Sequence, residues 1–88
     1  LLQNFPNPFN PETTIEYNIN YDGNVTITIF NTKGELIKKI DHGNRHAGFH
    51  NYKWEGLNSY SELVPTGVYL YTVESSGSTK SGKMLMIK

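Results

Sequence analysis

Three histidines, His42, His46 and His50, recur every four residues. On a helix that spacing would align the imidazoles and let them share a zinc ion. Gly43 and Gly48 interrupt the stretch and His50 falls in an alternating strand pattern, so the geometry for a shared metal is missing. His50 reads instead as a partly buried, hydrogen-bonded strand residue. Glu55 and Glu62 could act as the carboxylate pair of a glycosidase only across a cleft, and a thin domain offers none. No serine sits in a Gly-x-Ser-x-Gly elbow, and no glycine-rich loop has phosphate-cradling spacing. The absence of cysteine excludes thiol nucleophiles, thiolate metal sites and disulfides together. Six tyrosines and Trp54 could form a sugar platform. However, Tyr52, Trp54, Tyr69 and Tyr71 occupy alternating positions that a core must fill, and only Tyr21 and Tyr60 fall in loop-like stretches. The expectation is a chain with no cofactor, no metal and no catalysis of its own.

Length and charge narrow the setting in which such residues must be positioned. Eighty-eight residues at 10.0 kDa make one domain, with a core that buries roughly 60–68% of the unfolded chain's surface. Eight basic residues balance eight acidic ones, which argues against nucleic acid or an anionic membrane as partner. No apolar run approaches the roughly 20 residues of a membrane helix, so membrane insertion is not expected. The chain shows no signal peptide and starts Leu1-Leu2-Gln3 without methionine, which suggests a piece of something larger.

The apolar residues, 36% of the total, lie in short alternating runs of the kind that form half-buried strands. Ile15, Tyr17 and Ile19 make one run, and Val25, Ile27 and Ile29 a second. Leu36-Ile37 is a shorter one. Phe49–Trp54 puts His50, Tyr52 and Trp54 on one face. Val68–Val73 is apolar on both faces and so is expected to be central. Met84–Ile87 closes the series. Asp22-Gly23 is expected to be a hairpin turn joining the first two runs, and Lys33-Gly34 to turn the chain likewise. His42-Gly43-Asn44 and Ala47-Gly48 bracket an expected connection, Glu55–Glu62 an expected loop, and Ser75–Ser78 a last hairpin. No helix is predicted. The fold class that follows is all-β: an antiparallel immunoglobulin- or fibronectin-like sandwich of about seven strands without a disulfide. Residues 13–88 would form it, and residues 1–12 a proline-rich extended entry.

That entry, Pro6-Asn7-Pro8-Phe9-Asn10-Pro11, has three prolines in six residues, which restrain the backbone and pre-order it. Its spacing is not that of a PxxP ligand. One of Phe5 and Phe9 is expected to plug the end of the sandwich, making the segment a clamp.

Several stretches together carry a resemblance. Leu2–Pro11 followed by Thr13-Thr14-Ile15 resembles the start of the carboxy-terminal sorting domain of the type IX secretion system, type A. Val25–Asn31 with Gly34-Glu35-Leu36-Ile37, Ala47–His50 leading to Trp54-Glu55-Gly56, and Pro65-Thr66-Gly67-Val68-Tyr69-Leu70-Tyr71 resemble its middle. Lys83-Met84-Leu85-Met86-Ile87-Lys88 resembles its terminal strand. Pro6 to Pro11, Gly34, Trp54, Gly56, Gly67 and Tyr69 are the positions that match the family's structural pattern. The Trp-x-Gly and Gly-x-Tyr skeleton is also similar to the immunoglobulin-like domain of flagellar hook-capping proteins. The family's acidic turn after the tryptophan, of the kind Asp-Gly-x-x-Asp-x-x-Gly, is here Glu55–Glu62, which keeps the first glycine and loses the second. That change bears on the turn's geometry and makes a cation there less expected.

The resemblance implies an address rather than an activity. A larger precursor would carry this domain behind its cargo. An outer-membrane translocon with its shuttle proteins would read the folded tag; a sortase commonly removes such a tag and attaches the cargo, and otherwise the cargo is released, so cleavage and retention both stay open. The cargo would pass through the periplasm to the cell surface or medium. Lys83 to Lys88 would be the partner-binding segment, an exposed edge open to β-augmentation. Lys80, Lys83 and Lys88 serve equally as edge protection. The competing readings are a structural immunoglobulin-like stalk or hook-cap-like assembly module, and a carbohydrate-binding module.

Overall fold

Period-two alternation gives a strand an apolar face, and two such faces satisfy each other only when sheets stack. The computed structural model describes residues 2–87. Its strands are β1 (Leu2–Phe5), β2 (Thr13–Ile19), β3 (Gly23–Asn31), β4 (Leu36–Arg45), β5 (Gly48–Trp54), β6 (Gly67–Ser75) and β7 (Ser78–Met86). They form two antiparallel sheets, ordered β1-β2-β5 and β4-β3-β6-β7. The fold is the expected all-β, seven-stranded sandwich. Ile15, Tyr17, Ile27, Ile29, Trp54, Tyr71, Met84 and Met86 are the heart of the core between the sheets. β6 lies between β3 and β7, the central place expected of it, although Val68 and Leu70 on its outer face are exposed.

Three local expectations change. Leu2–Phe5, inside the proline-rich entry, forms a strand that pairs with β2, Leu2 opposite Tyr17 and Phe5 opposite Thr14. Asp22-Gly23 does not close a hairpin, because β2 and β3 belong to different sheets. The chain crosses the sandwich there, and the Asp22 carboxylate accepts the Ala47 N–H at 2.8 Å. Finally, His42-Gly43-Asn44 is strand rather than connection. Thr26 pairs with Asp41 and Val25 with Gly43, so His42 is the extra residue of a β-bulge. A glycine beside an asparagine reads locally as a turn, but ladder pairing with β3 overrides that preference.

β4 carries a second bulge. Ile29 pairs with Lys38 and Phe30 with Leu36, leaving Ile37 over. Its carbonyl accepts both the Ser59 N–H at 3.0 Å and the Ser59 hydroxyl at 3.1 Å. The bulge thereby anchors the loop that follows Trp54.

Candidate functional site

The residues of the sequence pattern meet at one end of the sandwich. Phe9 inserts there and is 2% exposed, while Phe5 is 72% exposed. The expected plug is therefore Phe9. Its ring lies 5.7 Å from Trp54, and Trp54 lies 5.8 Å from Tyr69 in an edge-on arrangement, both within the favoured range for aromatic pairs. The polar ends of these rings are satisfied: Trp54 Nε1 donates to the Leu57 carbonyl at 3.0 Å, and the Tyr69 hydroxyl to the Pro65 carbonyl at 2.6 Å. Met84 and Met86 are buried in the same core cluster. A Cβ added at Gly56 would stand 2.7 Å from the Pro11 carbonyl oxygen, so the loop after Trp54 and the proline segment meet backbone to backbone.

The proline segment is tied down by a polar cluster. Thr13 Oγ1 donates to the Pro6 carbonyl at 2.8 Å and accepts from Asn4 Nδ2 at 3.1 Å. Asn4 Oδ1 accepts from the Tyr71 hydroxyl and from Asn7 Nδ2, each at 3.4 Å. Asn7 then reaches β7. Its Nδ2 donates to the Lys83 carbonyl at 3.2 Å, and its Oδ1 accepts the Leu85 N–H at 3.0 Å. The carboxamide thus does what the peptide group of a neighbouring strand would do. Phe9 continues the pairing in parallel: its N–H donates to the Leu85 carbonyl and its carbonyl accepts the Ile87 N–H, both at 2.9 Å.

These four bonds cover the outward backbone groups of β7 from the Lys83 carbonyl to the Ile87 N–H. The expected open terminal edge is closed by the chain's own amino-terminal segment. The reason is that Asn7 and Phe9 satisfy polar groups that a bare edge would leave for another chain. Lys83 and Ile87 remain exposed at the side chain, Leu85 is half-buried, and Met84 and Met86 are buried. Lys88 lies outside the described residues. Lys80 does not lie on the surface of the strand but reaches between the sheets to the Asn18 carbonyl at 3.1 Å.

The turn lacking a glycine keeps its geometry. Asn31–Glu35 and Asn58–Glu62 are the same five-residue loop. In each, the asparagine N–H donates to the glutamate carbonyl and its own carbonyl accepts the N–H three residues on. Its Oδ1 accepts the N–H groups two and four residues on, and its Nδ2 donates to the glutamate carboxylate. The fourth residue has positive φ, 82° at Gly34 and 62° at Ser61. Serine pays a steric penalty in that region that glycine does not. Ser61→Gly is expected to raise stability by up to about 1 kcal/mol, and Gly34→Ser to lower it by about as much. Urea denaturation of the two variants checks the pair; opposite signs are the expected result.

The histidines are separated by their contacts. His42, aimed inward by its bulge, is hydrogen-bonded at Nδ1 to the Tyr17 hydroxyl at 2.7 Å. His46 meets Asp22 at 3.3 Å, and His50 Nε2 contacts the His46 carbonyl. Among the described residues no three metal-ligating side chains converge. Burial holds the His42 imidazole below its ordinary pKa, with the Arg45 charge and then His50 adding to the effect. Burial likewise pushes the Tyr17 phenol up, partly offset by Arg45. The folded state thus binds a proton at His42 less readily than the unfolded state. Its contribution is complete above about pH 6.5 and is lost as pH falls through the lowered folded value. Stability should decline as pH falls below about 6.5, and His42→Gln should flatten that slope, as read from urea midpoints at successive pH values.

Among the described residues no helix is long and apolar enough to cross a membrane. The fold is shared with two solved structures from Porphyromonas gingivalis. Dimeric latent PorU matches 98% of this chain with 9% of its own length, at TM-score 0.76 and 23% identity. PorZ, described as an essential bacterial surface component of the type IX secretion system, matches 99% of this chain with 11% of its own, at TM-score 0.73 and 21% identity. In sequence, the basal-body rod modification protein FlgD of Escherichia coli K12 is 33% identical over 52 residues, 59% of this chain. The chain spans 22% of that relative's length. The model of the FlgD Ig-like domain matches residues 11–79, the stretch that runs from the end of the proline segment into β7. By that match the chain belongs to the FlgD Ig-like domain family.

Proposed function

We propose that this FlgD-type immunoglobulin-like domain is a sorting domain, a folded address read by an outer-membrane type IX translocon on a larger exported protein. The observation that carries the reading is the clasp. The family match stops at residues 11 and 79, and the segments outside it contain Asn7, Phe9 and the Lys83–Ile87 stretch. Those segments bind each other. They also fall within the 98–99% of the chain that aligns with PorU and PorZ, and for the most part within the 96% that aligns with truncated FlgD from Helicobacter pylori. A stalk domain needs no clasp between its ends, whereas a tag on unrelated cargoes needs one constant, rigid surface.

In this reading the partner meets a composite. It consists of the exposed side chains of Lys83 and Ile87 together with the outward side of the Asn7–Phe9 backbone, not a bare strand edge. The translocon shuttle and the sortase are the partners this role requires, and the route runs through the periplasm to the surface or medium. Deleting Met84–Lys88 would remove two core methionines and confuse folding with routing. Ile87→Glu avoids this, because Ile87 is 44% exposed. Placed in the precursor in a type IX host, that variant should fold normally but leave cargo in the periplasm. Undiminished surface delivery overturns the proposal.

A second reading rests on the family match itself: a structural immunoglobulin-like assembly module, as in FlgD. It predicts that the domain stays on the mature protein and that Ile87→Glu leaves routing unchanged.

A further inference from the structure

The end of the sandwich opposite the clasp breaks the pattern that built the core. The inward positions of β6 read Tyr69, Tyr71, Val73 and then Ser75. Those of β7, paired with them, read Met84, Gly82, Lys80 and then Ser78. Toward the β6–β7 turn, core-facing positions change from apolar groups to hydroxyls and an ammonium. Polar residues at core-facing positions cost stability unless they serve something.

They line a cavity of about 50 Å³ between the sheets, walled by Ile19 and Val73. Ser75 Oγ is shielded from solvent there and finds no hydrogen-bond partner among the described residues. Leaving such a group unpaired costs about 1–3 kcal/mol. Lys80 Nζ lies in the same lining and donates to the Asn18 carbonyl at 3.1 Å and Oδ1 at 3.4 Å, which leaves one of its three protons. Ser76, Ser78 and Asn20 add further donors, and the described lining contains no carboxylate. Tyr21, 72% exposed, stands at the rim.

We propose that this socket binds an acidic sugar, whose carboxylate enters beside Lys80, where a turn of the Ser75 side chain brings its hydroxyl to the same group, and whose ring lies outside against Tyr21. The size sets the division: the cavity admits a small group, at about 30 Å³ per water-sized occupant, but not a pyranose. The charge sets the sign: one ammonium with surplus donors and no anion in the lining calls for an anion, and the small volume favours the planar carboxylate over a tetrahedral oxyanion. The amphipathic phenol and the amide and hydroxyl rim suit the hydroxylated remainder. The site is independent of the sorting role.

Titration of the 88-residue chain with sodium glucuronate, glucose and acetate, followed by amide chemical shifts, tests this. Glucuronate should give saturable shifts at Ser75, Ser78 and Lys80, with glucose and acetate each about tenfold weaker or more. Lys80→Met should weaken glucuronate by about tenfold or more. Ser75→Ala should also weaken it while leaving the melting temperature unchanged or higher, because the orphaned hydroxyl is gone. Four results would each overturn the proposal. These are no saturable glucuronate binding, acetate binding as tightly as glucuronate, glucose doing so, or full affinity in Ser75→Ala.

Discussion

Phe9→Ala is expected to destabilise the domain by about 3–5 kcal/mol, the range for removing a buried phenylalanine ring. Phe9 is 2% exposed and its ring lies tilted 5.7 Å from Trp54, so truncation leaves a cavity beside Trp54 in the core cluster. The loss is large against the roughly 5–15 kcal/mol that holds a small domain folded. Phe5→Ala is the internal control: at 72% exposure it should change stability by less than about 0.5 kcal/mol. Hydrogen exchange separates packing from clasp. In Phe9→Ala the Ile87 amide should lose protection first, since its acceptor is the Phe9 carbonyl. A loss under about 1 kcal/mol in denaturant midpoints would show that the proline segment is draped on the sandwich rather than part of its core.

Gly56→Ala should cost about 3 kcal/mol although it adds only one methyl group. Two penalties act together. At φ 75° an alanine occupies the left-handed region at about 1–2 kcal/mol. Its Cβ would also stand 2.7 Å from the Pro11 carbonyl oxygen, a backbone atom with no rotamer to change, and overpacking of that kind costs about 1–3 kcal/mol. The strain can be relieved only by lifting Pro11 away, which loosens Phe9 and through it the cover on β7. Guanidinium denaturation gives the magnitude. Faster exchange at Leu85 and Ile87 would show that the two ends are coupled. A variant with native stability would mean that the loop and the proline segment do not touch as described.

Both effects run through contacts that no window of sequence displays. The NPFNP segment is legible as rigid, and one of its phenylalanines as a plug. Nothing local says that Phe9 rather than Phe5 turns inward, because that depends on where β1 ends against β2. The glycine after Trp54 is legible as a turn residue; its intolerance of a side chain depends on Pro11, 45 positions earlier. His42 was hidden for a different reason. Bulges arise from the count of residues on two paired strands, and a glycine-containing stretch read alone has no partner to count against.

Single-residue chemistry and period-two spacing determined, without any structure, that this chain is all-β, which faces of its strands are apolar, that β6 is central, and that Lys33-Gly34 and Ser75–Ser78 are turns. These are local properties, set by side-chain alternation and backbone freedom within a few residues. Only the tertiary structure decided that β2 and β3 lie in different sheets and that the terminal edge is already occupied. The bonds that occupy it join Asn7 to residues 76 and 78 positions away. A carboxamide can stand in for a peptide group only once folding has brought it to the edge. That is why the closing lysine-rich strand, read along the chain, looks open when in the folded domain it is held by the chain's other end.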